Sequence, residues 1–140
     1  MDNPRLTLLK QTLADNDASL TRPRQIVFSL LDRPEPQTLA SLAKASKGQI
    51  DRASLYRTIN LFEELGIVNR INIGFKYKLE LSDQFNRHHH HLTCTRCGRI
   101  INTEEPLFEE LIKKLADKHR FLLSDHQLEV QGLCSECQRQ

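Results

Sequence analysis

Apolar positions recur along the first half of the chain at helical spacing. Leu6, Leu9 and Leu13 follow Pro4, a residue suited to a first helical turn. Thr21 reads as an N-cap with Pro23 just inside a second helix, whose stripe is Ile26, Val27, Leu30 and Leu31. Pro34 and Pro36 end it, and Thr38 opens a short third helix carrying Leu39, Leu42 and Ala43. Asp51 is a good N-cap for a fourth helix running to Leu65, with Gly66 placed to terminate it. The period then changes. Ile67 to Ile73 is strand-like, Gly74 marks a turn, and Tyr77, Leu79 and Leu81 alternate with Lys76, Lys78 and Glu80. This order predicts a winged helix-turn-helix preceded by an extra helix over residues 1–82, with a polar hinge at 83–87.

Beyond the hinge, His88–Thr93 reads as a strand. Glu104–His119 reads as an amphipathic helix with Leu107, Phe108, Leu111, Ile112 and Leu115 on one face. His126, Leu128 and Val130 alternate with Gln127, Glu129 and Gln131, which predicts another strand. Residues 88–140 therefore form a second domain, and the fold class is α+β.

Composition narrows the function. With 39% hydrophobic and 27% charged residues, the 140-residue chain is that of a folded protein. No apolar run approaches the ~20 residues of a membrane span, and no signal segment opens the chain, so a cytoplasmic protein is expected. A net charge of +2 excludes a broadly basic nucleic-acid coat but allows a local basic face. All six histidines and all four cysteines lie after residue 87. Metal-capable chemistry thus belongs to the second domain, and the first has another task.

Cys94-Thr-Arg-Cys97 and Cys134-Ser-Glu-Cys137, with 36 residues between the pairs, have the pattern of a tetrahedral zinc site. Gly98 lets the backbone turn back toward the sulfurs. A disulfide pair disagrees with a reducing cytosol. A redox CxxC needs one pair at a helix start, not two distant pairs.

His88-His89-His90-His91 is internal, unlike a terminal tag. In a strand, His88 and His90 face one side, and His89 and His91 the other, so one run can feed two metal sites. The strand phase of His126 puts it on the apolar side with Leu128 and Val130. Glu109 lies at the edge of its helix's apolar stripe. A lone inward histidine is more often a hydrogen-bonded core residue, and a solvated charge is the default reading of Glu109. His119 ends its helix and complements the dipole there.

On the fourth helix, Leu55, Ile59, Phe62 and Leu65 form the inward stripe. Ala53, Tyr56, Arg57 and Asn60 fall opposite, with Arg52 and Ser54 near the start. Tyrosine, arginine and asparagine there suit phosphate and base-edge contacts in a major groove. Arg24 is placed to hold the DNA backbone or reach a minor groove. The competing reading is an ordinary solvated helix face.

Ala53-Ser-Leu-Tyr56-Arg57-Thr-Ile-Asn60, Leu65-Gly66-Ile67-Val68, His88-His-His-His91-Leu-Thr-Cys94-Thr-Arg-Cys97-Gly98 and Gly132-Leu-Cys134-Ser-Glu-Cys137 together resemble the ferric-uptake regulator family over essentially the whole chain. The resemblance implies a homodimeric, metal-responsive transcriptional repressor with an N-terminal winged helix and a C-terminal α/β dimerisation domain. It implies structural Zn²⁺ at Cys94, Cys97, Cys134 and Cys137. It implies a dimerisation-domain metal site at His88, His90, Glu109 and His126, and an inter-domain regulatory site including Glu80, His89 and His91. Arg24, Tyr56 and Arg57 are the DNA contacts it implies. Many members have aspartate where this chain has His90, and a three-histidine, one-glutamate set favours a borderline metal such as Zn²⁺. The chain departs from the family in two places. Pro36 stands near the position of a histidine after the second helix, and Asn102 replaces an acidic residue. Both bear on the inter-domain site and make peroxide sensing through histidine oxidation an unfavoured reading.

The expected function is a repressor that binds a double-stranded DNA operator when loaded with a regulatory divalent metal, Zn²⁺, Fe²⁺ or Mn²⁺. Neither enzymatic activity, nor a small organic substrate, nor a membrane partner is expected. The competing readings are a DNA-binding regulator with structural zinc only, and a metal-store or redox protein.

Overall fold

The computed structural model describes residues 3–140. They form two compact units, one ending at Arg87 and the other spanning His88–Gln140.

The first unit contains α1 (Pro4–Asp15), α2 (Arg22–Leu31), α3 (Leu39–Ser46), α4 (Arg52–Glu64), β1 (Val68–Ile73) and β2 (Lys76–Leu81). Each helix starts where a side chain can accept an otherwise orphaned backbone N–H. Asn3 accepts from Arg5, Thr21 from Arg24, Thr38 from Ser41 and Asp51 from Ser54. Gly66, at φ +71°, takes the left-handed conformation that ends α4. The apolar stripes converge on one core, in which Leu9, Leu13, Val27, Phe28, Leu31, Leu42, Leu55, Ile59, Phe62, Ile67, Val68, Leu79 and Leu81 are buried.

β1 and β2 pair antiparallel from Val68↔Leu81 to Ile73↔Lys76, joined by Gly74-Phe75. Gly74 has φ +59°, as the first central residue of a type II′ hairpin turn requires. Gln37 pairs with Leu79 through two backbone hydrogen bonds of 2.8 and 2.7 Å, closing part of the outer edge of β2. The stretch read as a polar hinge is anchored to this unit. Phe85 meets Phe28 edge-to-face at 5.2 Å, and the Asn86 side chain accepts from Arg5 at 3.1 Å.

The second unit contains β3 (His90–Cys94), β4 (Ile100–Thr103), α5 (Pro106–Lys118), β5 (Glu129–Gly132) and a 3₁₀ turn at Cys137–Arg139. The sheet order is β4-β3-β5, with β4 antiparallel and β5 parallel to β3. Three details differ from the sequence expectation. The first strand starts at His90 rather than His88, and β4 was not anticipated. The last strand starts at Glu129, which leaves His126 in irregular chain ahead of it. The predicted apolar face of α5 exists, but no residue of that helix is buried. Phe108 and Ile112 are half-buried, whereas Leu107, Leu111 and Leu115 are 78%, 60% and 52% exposed.

Candidate metal centres and DNA-reading face

The four cysteines come from the end of β3, the turn after it and the turn after β5. Gly98 adopts φ +77° and donates its N–H to the Cys94 carbonyl at 3.0 Å, folding the first pair into a tight loop. The second pair leads into the 3₁₀ turn. Thr95 joins the two loops by donating its N–H to the Gly132 carbonyl at 2.9 Å, and Arg96 donates to the Cys137 carbonyl at 2.7 Å. The four sulfurs lie within 4.8 Å of one another, with Cys97 Sγ and Cys134 Sγ 3.8 Å apart. Backbone N–H groups of Cys134 and Cys97 lower the Cys94 thiol to about 5, favouring its thiolate form. Hydrogen bonding from the Cys137 backbone also lowers Cys134. Burial pushes Cys137 up to about 12. A divalent cation would satisfy this crowded, partly ionised set, and four soft sulfurs suit Zn²⁺.

The second cluster joins β3, α5 and the chain before β5. His88, His90, Glu109 and His126 each bring a ligand atom within 4.8 Å of the others. His88 Nε2 lies 3.1 Å from Glu109 Oε1 and 3.2 Å from His126 Nε2. His126 Nε2 lies 2.5 Å from Glu109 Oε2, and His90 Nε2 contacts Glu109 Oε1. Burial raises the Glu109 carboxyl, but the His90 hydrogen bond and the neighbouring His126 and His88 outweigh it. The net pKa lies below the usual carboxylate value. Three imidazoles around one carboxylate form a complete four-donor set for a borderline divalent metal.

The Leu128 backbone N–H donates to His90 Nδ1 at 3.1 Å and fixes that ring's orientation. This contact carries no side-chain signature, so no motif pointed to it. His89 and His91 stack edge-to-face with centroids 4.8 Å apart, as His88 and His90 do at 4.7 Å. The period-two separation therefore holds even though the strand begins only at His90. Glu80 lies near the end of β2 in the first unit.

On α4, Arg52, Ala53, Tyr56, Arg57 and Asn60 are exposed and Ser54 is half-buried, while Leu55, Thr58, Ile59 and Phe62 face the core. Arg57 donates to Ser54 Oγ at 3.2 Å, so its guanidinium is held along the helix face. Backbone hydrogen bonding from Ser54 holds the Asp51 carboxyl below its usual range. Arg24 donates to the Ser19 carbonyl at 2.6 Å.

Among the described residues, no helix is long and apolar enough to cross a membrane. The profile of the ferric uptake regulator family matches residues 15–131. A ferric uptake regulation protein of Legionella pneumophila is 34% identical over 91% of this chain and 97% of its own length. The crystal structure of the Vibrio cholerae ferric uptake regulator is similar, with a TM-score of 0.73 and 30% identity over 89% of this chain and 98% of that one. A ferric uptake regulator from Pseudomonas aeruginosa, determined with manganese, has a TM-score of 0.77 and 25% identity over 89% of this chain and 96% of that one. With an exposed face of Arg52, Tyr56, Arg57 and Asn60 on α4 in one unit and two metal-type clusters in the other, the chain belongs to the ferric uptake regulator family and is a metal-responsive transcriptional repressor.

Proposed function

We propose that the protein is a homodimeric repressor that senses a borderline divalent metal, Zn²⁺ in first place, and binds a double-stranded operator when loaded. The observation that carries the reading is the His88–His90–Glu109–His126 cluster, whose three nitrogens and one carboxylate converge within 4.8 Å. Nitrogen-rich donor sets favour Zn²⁺ and Fe²⁺ over hard cations. Cys94, Cys97, Cys134 and Cys137 hold structural Zn²⁺ in this reading. His89 and His91, with Glu80 as the third ligand, form a separate regulatory site. That site offers three donors against the other cluster's four, so it binds more weakly than the four-donor site.

Bound metal would supply the positive charge that holds these donors together. The protein's own residues do the rest. Glu109 ties α5 to β3, Leu128 orients His90 until the metal binds, and Arg52, Ser54, Tyr56, Arg57 and Asn60 present the reading surface. Arg24 is assigned to the DNA backbone, with one guanidinium nitrogen held by the Ser19 carbonyl and the others left to meet a phosphate.

The apolar face of α5 supports the dimer. Leu107, Leu111 and Leu115 are exposed in a single chain, and a second copy would remove them from water. Double-stranded DNA is the polymer partner, and neither a membrane nor a small organic substrate is part of the reading.

The test is selection of duplex DNA from a random library by the full chain, followed by binding measurements at fixed salt with Zn²⁺, Fe²⁺ or Mn²⁺. Metal-dependent, sequence-selective binding with Zn²⁺ as the most potent metal is expected. Selective binding that is the same after removal of all but one equivalent of zinc would favour a regulator with structural zinc only.

A further inference from the structure

The hairpin that follows α4 ends in a residue the fold does not need. Phe75 occupies the second position of the two-residue turn after Gly74 and is fully exposed. The positive φ of Gly74 makes the turn, and its second position accepts most residue types. A phenylalanine in water forgoes the burial that normally favours it. Its surroundings have one sign of charge. Between Asn69 and Lys78 the hairpin carries Arg70, Lys76 and Lys78 and no acidic residue.

The hairpin is also braced at its base. Arg70 pairs with Glu63 of α4 at 2.6 Å, and its guanidinium lies 4.2 Å from the Tyr77 ring centroid. The tip is thus presented on a stiff arm tied to the reading helix. From the Arg70 brace to the Gly74-Phe75 turn the hairpin runs about four residues, roughly 13 Å. That matches the roughly 12 Å width of a major groove. An arm leaving α4 in one groove can therefore cross the phosphate backbone to the next.

From these observations we infer that Phe75 is an apolar wedge that enters the minor groove beside the segment read by α4, with Lys76 on the adjoining phosphates. Aromatic insertion at a base step unstacks it, and flanking cations offset the backbone charge. The inference rests on α4 being the reading helix, and it adds a second contact outside that segment.

The test uses the metal-loaded full chain and the duplex it selects from a random library, with 2-aminopurine placed singly at steps flanking the protected centre. Phe75→Ala should weaken binding about tenfold, within the range of base–aromatic stacking. It should abolish the wild-type rise in 2-aminopurine fluorescence at one flanking step and leave the salt slope unchanged. Phe75→Trp should restore both signals. Lys76→Ala should instead reduce the salt slope by about one. Because Phe75 is exposed, Phe75→Ala should melt with the wild type. Binding by Phe75→Ala within twofold of wild type, with unchanged fluorescence, would overturn the wedge while leaving α4 as the reading helix. So would an altered dimer equilibrium without DNA combined with unchanged DNA affinity, which would assign Phe75 to contact between copies. Failure of the wild type to select any duplex would remove the reading helix and the wedge together.

Discussion

Leu128 donates its backbone N–H to Nδ1 of His90 at 3.1 Å, while Nε2 of the same ring faces Glu109. In the metal-free chain the neutral ring therefore carries its proton on Nε2. Ligation through Nε2 requires that proton to leave, and a neutral metal-bound imidazole carries its proton on Nδ1. The Leu128 contact and an Nδ1 proton are incompatible. Metal loading should move the ring proton from Nε2 to Nδ1 and open the Leu128 hydrogen bond. Amide hydrogen exchange and the ¹⁵N shift of Leu128, compared with and without metal, check this. An unchanged Leu128 amide would mean that His90 ligates by another atom or not at all.

Replacing Cys94 with serine removes a thiolate from a closed four-sulfur set. Binding energy in such sites is folding energy. Cys94→Ser should lose one zinc and the cooperative melting of the second unit, while retaining helical signal from the first. Elemental analysis and circular dichroism together report it, and a variant with full zinc content would count against the assignment.

Arg57→Ala should weaken operator binding by about 1–3 kcal/mol if Arg57 reads a base edge. If it touches only phosphate, binding should fall about uniformly over all sequences, with a salt slope lower by about one. Anisotropy titrations on selected and scrambled duplexes distinguish the two. Unchanged affinity for both would argue against α4 as the reading element.

Asp51 caps α4 through the Ser54 N–H at 2.6 Å, and its pKa is depressed in the folded chain. A depressed carboxyl stabilises the fold above its unfolded value, and that contribution is lost as pH falls through the lower folded value. Asp51→Asn keeps an acceptor without the charge. The wild-type advantage over Asp51→Asn should be present at pH 7 and vanish in strong acid. Paired thermal melts across that range measure the difference, in which acid effects elsewhere cancel. A pH-independent difference would show that the charge contributes nothing.

A charge in the middle of the open α5 stripe tests the dimer. Leu111 is 60% exposed in one chain, so Leu111→Glu should leave the protomer folded and shift sedimentation from dimer to monomer. A dimer that persists at micromolar concentration would place the interface elsewhere.

The legible parts of the fold were those written in local chemistry. Thr21, Thr38 and Asp51 cap helices as their side chains dictate, and Gly66 and Gly74 sit where positive φ is required. The CxxC pairs were legible because four thiolates at that spacing have few other uses. Ile100-Ile101-Asn102-Thr103 is only four residues long and lacks alternation, so β4 gave no signal until β3 paired with it. His126 carried a strand-like phase but meets Glu109 from irregular chain, because the pairing of β5 with β3 begins only at Glu129. The periodicity of α5 identified its apolar face but not what covers it. The Leu128 N–H belongs to the backbone and has no sequence signature.

The central claim is that one histidine run feeds two metal sites, and native mass spectrometry of zinc-loaded protein counts them directly. His90→Ala should lose the metal held with His88, Glu109 and His126 while keeping the cysteine-bound zinc. His89→Ala should keep both of those metals and lose only the weaker one, together with much of the metal-dependent DNA binding. Loss of the same metal from both variants, or of none from either, would contradict the account.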